Sequence, residues 1–307
     1  MKTFHIDHFT YPLPEGHRFP VSKYALLRQR VARELAPPCE LTVPAAAAIE
    51  QLRLAHDAAY IEKVLNGTLS QREVRRIGFP WSPELAERSR RSVGSTIAAC
   101  RAALDAAANG GCGVAVSLTG GTHHAFADHG EGFCVFNDVA VAARVMQAER
   151  RAADGGPRIV IIDCDVHQGN GTAALLAADP TIFTFSIHGA KNFPFHKEQS
   201  DLDVELPDGT GDAAYLAALD DALDYVLPAA QADLAIYLAG ADAYEGDALG
   251  RLALSKAGLA ARDRLVFDRC RGLRLPVAVV MAGGYARRIE DTVDIQFETV
   301  RLAAGLA

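Results

Sequence analysis

Two stretches of the 307-residue chain concentrate side chains of the kind that hold metals and move protons. The first is Asp163-Cys164-Asp165-Val166-His167-Gln168-Gly169-Asn170-Gly171, at the end of an apolar run over 158–163. In an extended segment residues i, i+2 and i+4 point the same way, so Asp163, Asp165 and His167 face one locus. The second, Gly240-Ala241-Asp242-Ala243-Tyr244, follows the run 233–239 and brings Asp242 to an equivalent height. Two carboxylates and one imidazole leave a coordination position open, the arrangement of catalytic rather than structural zinc. Taken alone, D-x-D-x-H also describes a polar strand end that caps the following helix.

Three further clusters favour chemistry over capping. Gly120-Gly121-Thr122-His123-His124 follows the run 113–118 and sets two histidines side by side. Adjacent side chains diverge, so one ring can approach a water while the other reaches a leaving group, each orientated by its own partner. Ala282-Gly283-Gly284-Tyr285 follows the run 276–282; its glycines allow close backbone approach to a ligand, and Tyr285 is either a hydroxyl donor or packing. In Gly130-Glu131-Gly132-Phe133-Cys134-Val135-Phe136-Asn137-Asp138 an aromatic stands between flexible positions, a wall for a narrow apolar channel.

The elements that must position these clusters alternate. Runs at 113–118, 158–163, 181–187, 233–239 and 276–282 are continuously apolar, as strands buried on both faces are. Between and after them 137–153, 171–178, 212–229, 255–271 and 287–304 have helical patterns. The expectation is an α/β fold, a single-domain, doubly wound, mostly parallel sheet flanked by helices over 1–307, with the crevice outside the carboxyl ends of the strands. The first 80 residues, punctuated by prolines around a helix near 23–35, predict loops, helices and an edge strand. Ser82 and Pro83 read as N-cap and first position of a helix running to about Ala108.

Composition narrows the function classes. Hydrophobic residues make up 50% and charged residues 22%, the balance of a globular protein with a sizeable core. No apolar run has the length of a membrane span and the start has no secretory pattern, so the expectation is a cytoplasmic protein without membrane insertion. The six cysteines are scattered and contain no C-x-x-C pair. A net charge of −7 without a basic run argues against a nucleic-acid partner and suits a cationic substrate only weakly.

In order along the chain, G-G-x-H-H, G-F-C, D-x-D-x-H-x-G-x-G, G-x-D and G-G-Y resemble the zinc-dependent histone deacetylase family, over about residues 115–290. Gln168-Gly169-Asn170-Gly171 stands where class I enzymes usually carry His-Gly-Asp-Gly; with 189–194 and 200–207 it is most similar to the class IV branch and its bacterial relatives. The resemblance implies the arginase-deacetylase fold and a zinc-dependent amidohydrolase that removes acetyl or longer acyl groups from acyl-lysine in proteins or peptides. It implies one zinc on Asp165, His167 and Asp242, His124 as general base and then acid, His123 beside the water, and Tyr285 as donor to the oxyanion. Asp163 matches the carboxylate behind His123, whereas Asn170 stands where an aspartate usually backs His124. Phe133 and Phe193 match channel walls around the lysine stem, Gly121 and Gly132 lie beside them, and His188 is near the site by motif position. Asp163, Asp165, His167, Ser186 and Ile187 match positions that bind a structural potassium ion. Arg18 is expected at the far end of the pocket, where the acyl product leaves.

Three rivals share parts of this pattern. Arginase-type ureohydrolases resemble D-x-H-x-D plus a second D-x-D around two manganese ions, an order this chain lacks. Acetylpolyamine amidohydrolases, acting on acylated small amines, share all the motifs. A catalytically silent acyl-lysine binder is disfavoured by the presence of Tyr285.

Overall fold

The computed structural model describes residues 1–151 and 156–306. Eight strands form one sheet: β1 Lys2–Phe4, β2 Glu40–Thr42, β3 Val114–Ser117, β4 Ile159–Asp163, β5 Ile182–Gly189, β6 Leu202–Leu206, β7 Leu234–Leu238 and β8 Val277–Val280, in the order β2-β1-β3-β8-β7-β4-β5-β6. Every pairing among them is parallel, so the sheet is more uniform than the mostly parallel one expected. The helices are α1 Lys23–Glu34, α2 Ile49–Leu52, α3 Ala58–Asn66, α4 Gln71–Ile77, α5 Pro83–Ala108, α6 Asp138–Glu149, α7 Asn170–Leu176, α8 Asp212–Ala230, α9 Lys256–Gly272 and α10 Ile289–Ala304.

The continuous apolar runs are explained by burial on both faces. Val160 and Ile162 of β4 point into a core completed by α1, α8, α9 and α10, while Ile159 and Ile161 point into a second core under α5 and α6. Parallel strands need such crossovers, because each strand must return the chain to the same end of the sheet. Their carboxyl ends therefore share one rim. Ser82 caps α5 as expected, its hydroxyl accepting from Leu85 N at 3.1 Å with Pro83 in the first turn.

Some expectations need correction. The helix predicted over 137–153 is described to Glu149, and positions 152 and 153 lie outside the described residues. The first third contributes two strands, of which only β2 is an edge; β1 is enclosed between β2 and β3. Strand β6 escaped prediction because Leu202-Asp203-Val204-Glu205-Leu206 lies at the opposite edge, where half-burial removes the apolar signal. No helix among the described residues is long and apolar enough to cross a membrane.

Candidate active site

Strands β4 and β7 are neighbours with Asp163 opposite Leu238, so the loops leaving them emerge together. Asp165 and His167 come from one loop and Asp242 from the other. One donor atom from each lies within 4.8 Å of the other two, and all three residues are buried. His167 Nδ1 is 2.9 Å from Asp165 Oδ1 and 3.2 Å from Asp242 Oδ2. One ring nitrogen has one in-plane direction, and it serves Asp165; Asp242 Oδ2 has no hydrogen-bond partner among the described residues. Gly283 lets the last loop close over this group: its N–H donates to Asp165 Oδ2 at 2.8 Å, and a Cβ there would stand 1.8 Å from Asp242 Oδ2.

Two buried carboxylates with one oxygen orphaned require positive charge between them. Burial alone would lower the pKa of His167, yet the carboxylates of Asp165 and Asp242 outweigh it and raise it to about 10. A divalent cation satisfies the same three atoms in place of that proton, so the residues present fit a metal with carboxylate and imidazole ligands. The half-buried His5 and Asp7 and the exposed His8 form a second such group, but there Arg28 Nε already neutralises Asp7, at 3.2 Å.

The histidine pair follows β3. The loop carrying it is held by the first turn of α6, where buried Asp138 accepts from Gly121 N at 3.0 Å and Thr122 N at 2.7 Å. Gly121 also passes so close to Ala282 that a Cβ would stand 2.4 Å from its Cα. His123 Nδ1 bonds Asp163 Oδ2 at 2.7 Å and its Nε2 is 3.8 Å from Asp165 Oδ1. Burial disfavours its cation, but Asp163 and Asp165 prevail and hold its pKa up at about 9. His124 has no carboxylate beside it; its Nδ1 is 2.7 Å from Asn170 Oδ1, and Asn170 Nδ2 donates to Glu131 Oε1 at 2.7 Å. Burial, then the neighbouring His123 and His167, push its pKa well below the ordinary histidine value. The two rings thus differ in charge, as an electrostatic stabiliser and a base must.

A cleft of about 1030 Å³ leads down to His124, His167 and Tyr285 between Phe133 and Phe193. Phe193 meets the His124 ring edge to face at 4.9 Å. Gly132, at φ +57°, passes under that ring, where a Cβ would stand 2.7 Å from His124 Cδ2. Burial, then Asp165 and Asp242, hold the Tyr285 hydroxyl well above its ordinary pKa, so it remains a donor. Below lies a chamber of about 40 Å³ floored by Phe19 and Tyr24, and a further one of about 50 Å³ reaches Tyr11, Phe79 and Arg88.

A histone deacetylase domain profile matches residues 17–298. The chain belongs to the histone deacetylase family. It is 42% identical over 291 residues to an uncharacterized protein of Picosynechococcus sp., covering 94% of this chain and 93% of that one. It is 34% identical over 212 residues to histone deacetylase 2 of Arabidopsis thaliana, covering 67% of this chain but only 52% of that protein. The fold is that of the HDA15 HD domain (TM-score 0.81, 20% identity, 99% of this chain and 91% of that one). It is equally that of an HDAC homologue crystallised with SAHA (TM-score 0.81, 22% identity, 98% and 83%). The domain is accordingly a deacetylase-type hydrolase domain.

Within this deacetylase fold Arg18, His124, Gly132, Phe133, His167, Phe193 and Tyr285 line the cleft, and Gly121, His123 and Asp165 line the chamber below it; Asp163, Asn170, Asp242, Ser186, Ile187 and His188 line neither. His188 is fully buried in β5, with Nδ1 2.9 Å from Ser186 Oγ, and it does not line the cleft. Arg18 is an exposed residue of the outer cleft and lines neither inner chamber. The cation lining the far chamber is Arg88; Lys23, fully buried, lines neither cleft nor chamber, its ammonium donating to Gly284 O at 3.1 Å and standing 5.1 Å from the Tyr285 ring centre. Sequence reasoning missed Lys23, Tyr24, Arg88, Asp138 and the Glu131 carboxylate. A polar residue at the start of α1's amphipathic pattern gives no sign of burial; only Asp138, just inside a helix N-terminus, carried a local signal. The segments at 168–171 and 200–207 touch, Gln168 Nε2 donating to Asp203 Oδ1 at 2.9 Å.

Proposed function

We propose that the protein hydrolyses the side-chain amide of an acyl-lysine, in a protein or peptide, with zinc held by Asp165, His167 and Asp242. The observation that most supports this reading is the buried three-donor group at the foot of an aromatic-walled cleft, flanked by two differently charged histidines and a tyrosine. When bound, zinc supplies water activation and carbonyl polarisation. Phe133 and Phe193 line the passage for the lysine stem, leaving the acyl group to point toward Phe19 and Tyr24.

His124 Nε2 takes a proton from the attacking water as its oxygen bonds to the acyl carbon. It returns that proton to the nitrogen as the C–N bond breaks, and the water's second proton passes from the new carboxyl group to the amine, releasing a carboxylate and an ammonium. His123, anchored by Asp163, stands beside the attacking oxygen and balances the negative charge that develops on it. The Tyr285 hydroxyl donates to the same oxygen. A structural potassium ion belongs to the same reading, bound by Asp163, Asp165, His167, Ser186 and Ile187; Asp163 and Ser186 stand opposite one another on β4 and β5.

The test is turnover of acetyl-, medium- and long-chain acyl-lysine peptides beside N-acetylated polyamines, with and without zinc chelation. Tyr285→Phe should lower turnover about 10²–10³-fold, the loss for one oxyanion donor. Full activity in that variant, or none with any acylated amine, contradicts the reading.

A further inference from the structure

The outer cleft carries charge of one sign. Arg18, Arg76, Lys191 and Arg251 line it, all exposed, against the single carboxylate of Glu131. That carboxylate is engaged on both oxygens, by Arg76 Nε at 2.8 Å and Asn170 Nδ2 at 2.7 Å. Arg251 has Asp208 at 3.2 Å, outside the cleft lining. Arg18 and Lys191 stand in no ion pair among the described residues. In a chain of net charge −7 this is a local inversion of sign.

A concave site lined by one sign of charge concentrates ligands of the other and repels its own. The rim lies at the entrance through which the part of the substrate flanking the reacting amine must pass. We propose that the substrate is acidic around its acylated amine, an acyl-lysine flanked by aspartate or glutamate, gripped at the rim by Arg18 and Lys191. This rests on the amide-hydrolase reading above and adds the substrate's charge. Acylated polyamines and lysine-rich segments, cationic around the scissile amide, meet like charge at the same rim. The total charge of the chain indicates the opposite, because it averages over surface that the substrate never touches.

The experiment compares peptides of one length and one acyl group whose acyl-lysine is flanked by Asp/Glu, by Gly/Ser or by Lys/Arg, at 20 mM and 300 mM NaCl on the zinc-loaded protein. The expected order of kcat/KM is acidic, neutral, basic. Each exposed charge pair contributes about 2–5-fold, so acidic and basic peptides should differ by roughly 10-fold at low salt. The difference should lie in KM and shrink at high salt as the charges are screened. Arg18→Glu with Lys191→Glu should reverse the order. Fluorescence anisotropy of the same labelled peptides on the Tyr285→Phe protein reads the preference without turnover. Equal binding and equal kcat/KM for the three peptides, or an order unchanged by the charge reversal, overturns the inference while leaving the hydrolase reading intact. Turnover of none of the peptides overturns that reading and this inference with it.

Discussion

Asn170 holds His124 through an amide oxygen, Oδ1 lying 2.7 Å from His124 Nδ1, where a carboxylate would hold the ring equally well in place but not in charge. The amide's other end faces Glu131, which can only accept, so Nδ2 must point there and Oδ1 toward the ring. His124 therefore carries its proton on Nδ1 and leaves the Nε2 lone pair free to act as base.

Asn170→Asp should move the acidic limb of the kcat/KM–pH profile to higher pH. The base must be neutral to act, and burial, with His123 and His167, holds its pKa well below the usual histidine value. A carboxylate on Nδ1 favours the cation and raises that pKa, so activity is lost at low pH and retained above both values. An unmoved limb in the pH–rate profile would count against His124 as the base.

Glu131→Ala should free the Asn170 amide to flip, present Nδ2 to the ring and shift the proton to Nε2. A wrongly tautomerised base costs up to about 10⁴ in turnover, and a permitted rather than enforced flip should cost at least about tenfold. Adding Asn170→Asp should restore turnover, since both of its oxygens accept. ¹⁵N chemical shifts of His124 report the tautomer directly, and a shift pattern unchanged in Glu131→Ala would refute the link.

Chelation should abolish turnover and lower the melting temperature, with zinc restoring both, because a ligand bound only by the folded state stabilises it. Entry of the metal displaces a proton from His167, whose pKa stands at about 10. Apparent zinc affinity should therefore rise roughly tenfold per pH unit through neutrality and level off above that value. Asp242→Asn should reduce zinc per chain in metal analysis; a stoichiometry equal to wild type would remove Asp242 from the ligand set.

Lys23→Met should leave the melting temperature nearly unchanged, since replacing a buried cation with an apolar chain of similar size removes a desolvation cost. Turnover should fall about tenfold or more, because the Gly284 carbonyl loses its donor and the Tyr285 ring loses the ammonium packed 5.1 Å from its centre. A drop in melting temperature of ten degrees with unchanged turnover would make Lys23 a stability residue only.

The parallel sheet, and most of the aspartates and histidines that meet at its carboxyl rim, were legible in the residue pattern. Strands such as Ile159–Asp163, buried on both faces, are continuously apolar, so the first polar residues after them mark the carboxyl rim, and the period of two then aligns Asp165 with His167. Tertiary structure alone decided what surrounds that rim. Lys23 meets Gly284 across 261 residues, Glu131 meets Asn170 across 39, and Arg18 stands at the mouth rather than the floor. Such contacts depend on where crossover helices and the irregular first third come to rest, and no local periodicity encodes that. His188 shows the same limit: its place beside the motif was legible, but its side chain is fully buried, bonds Ser186 and does not line the cleft.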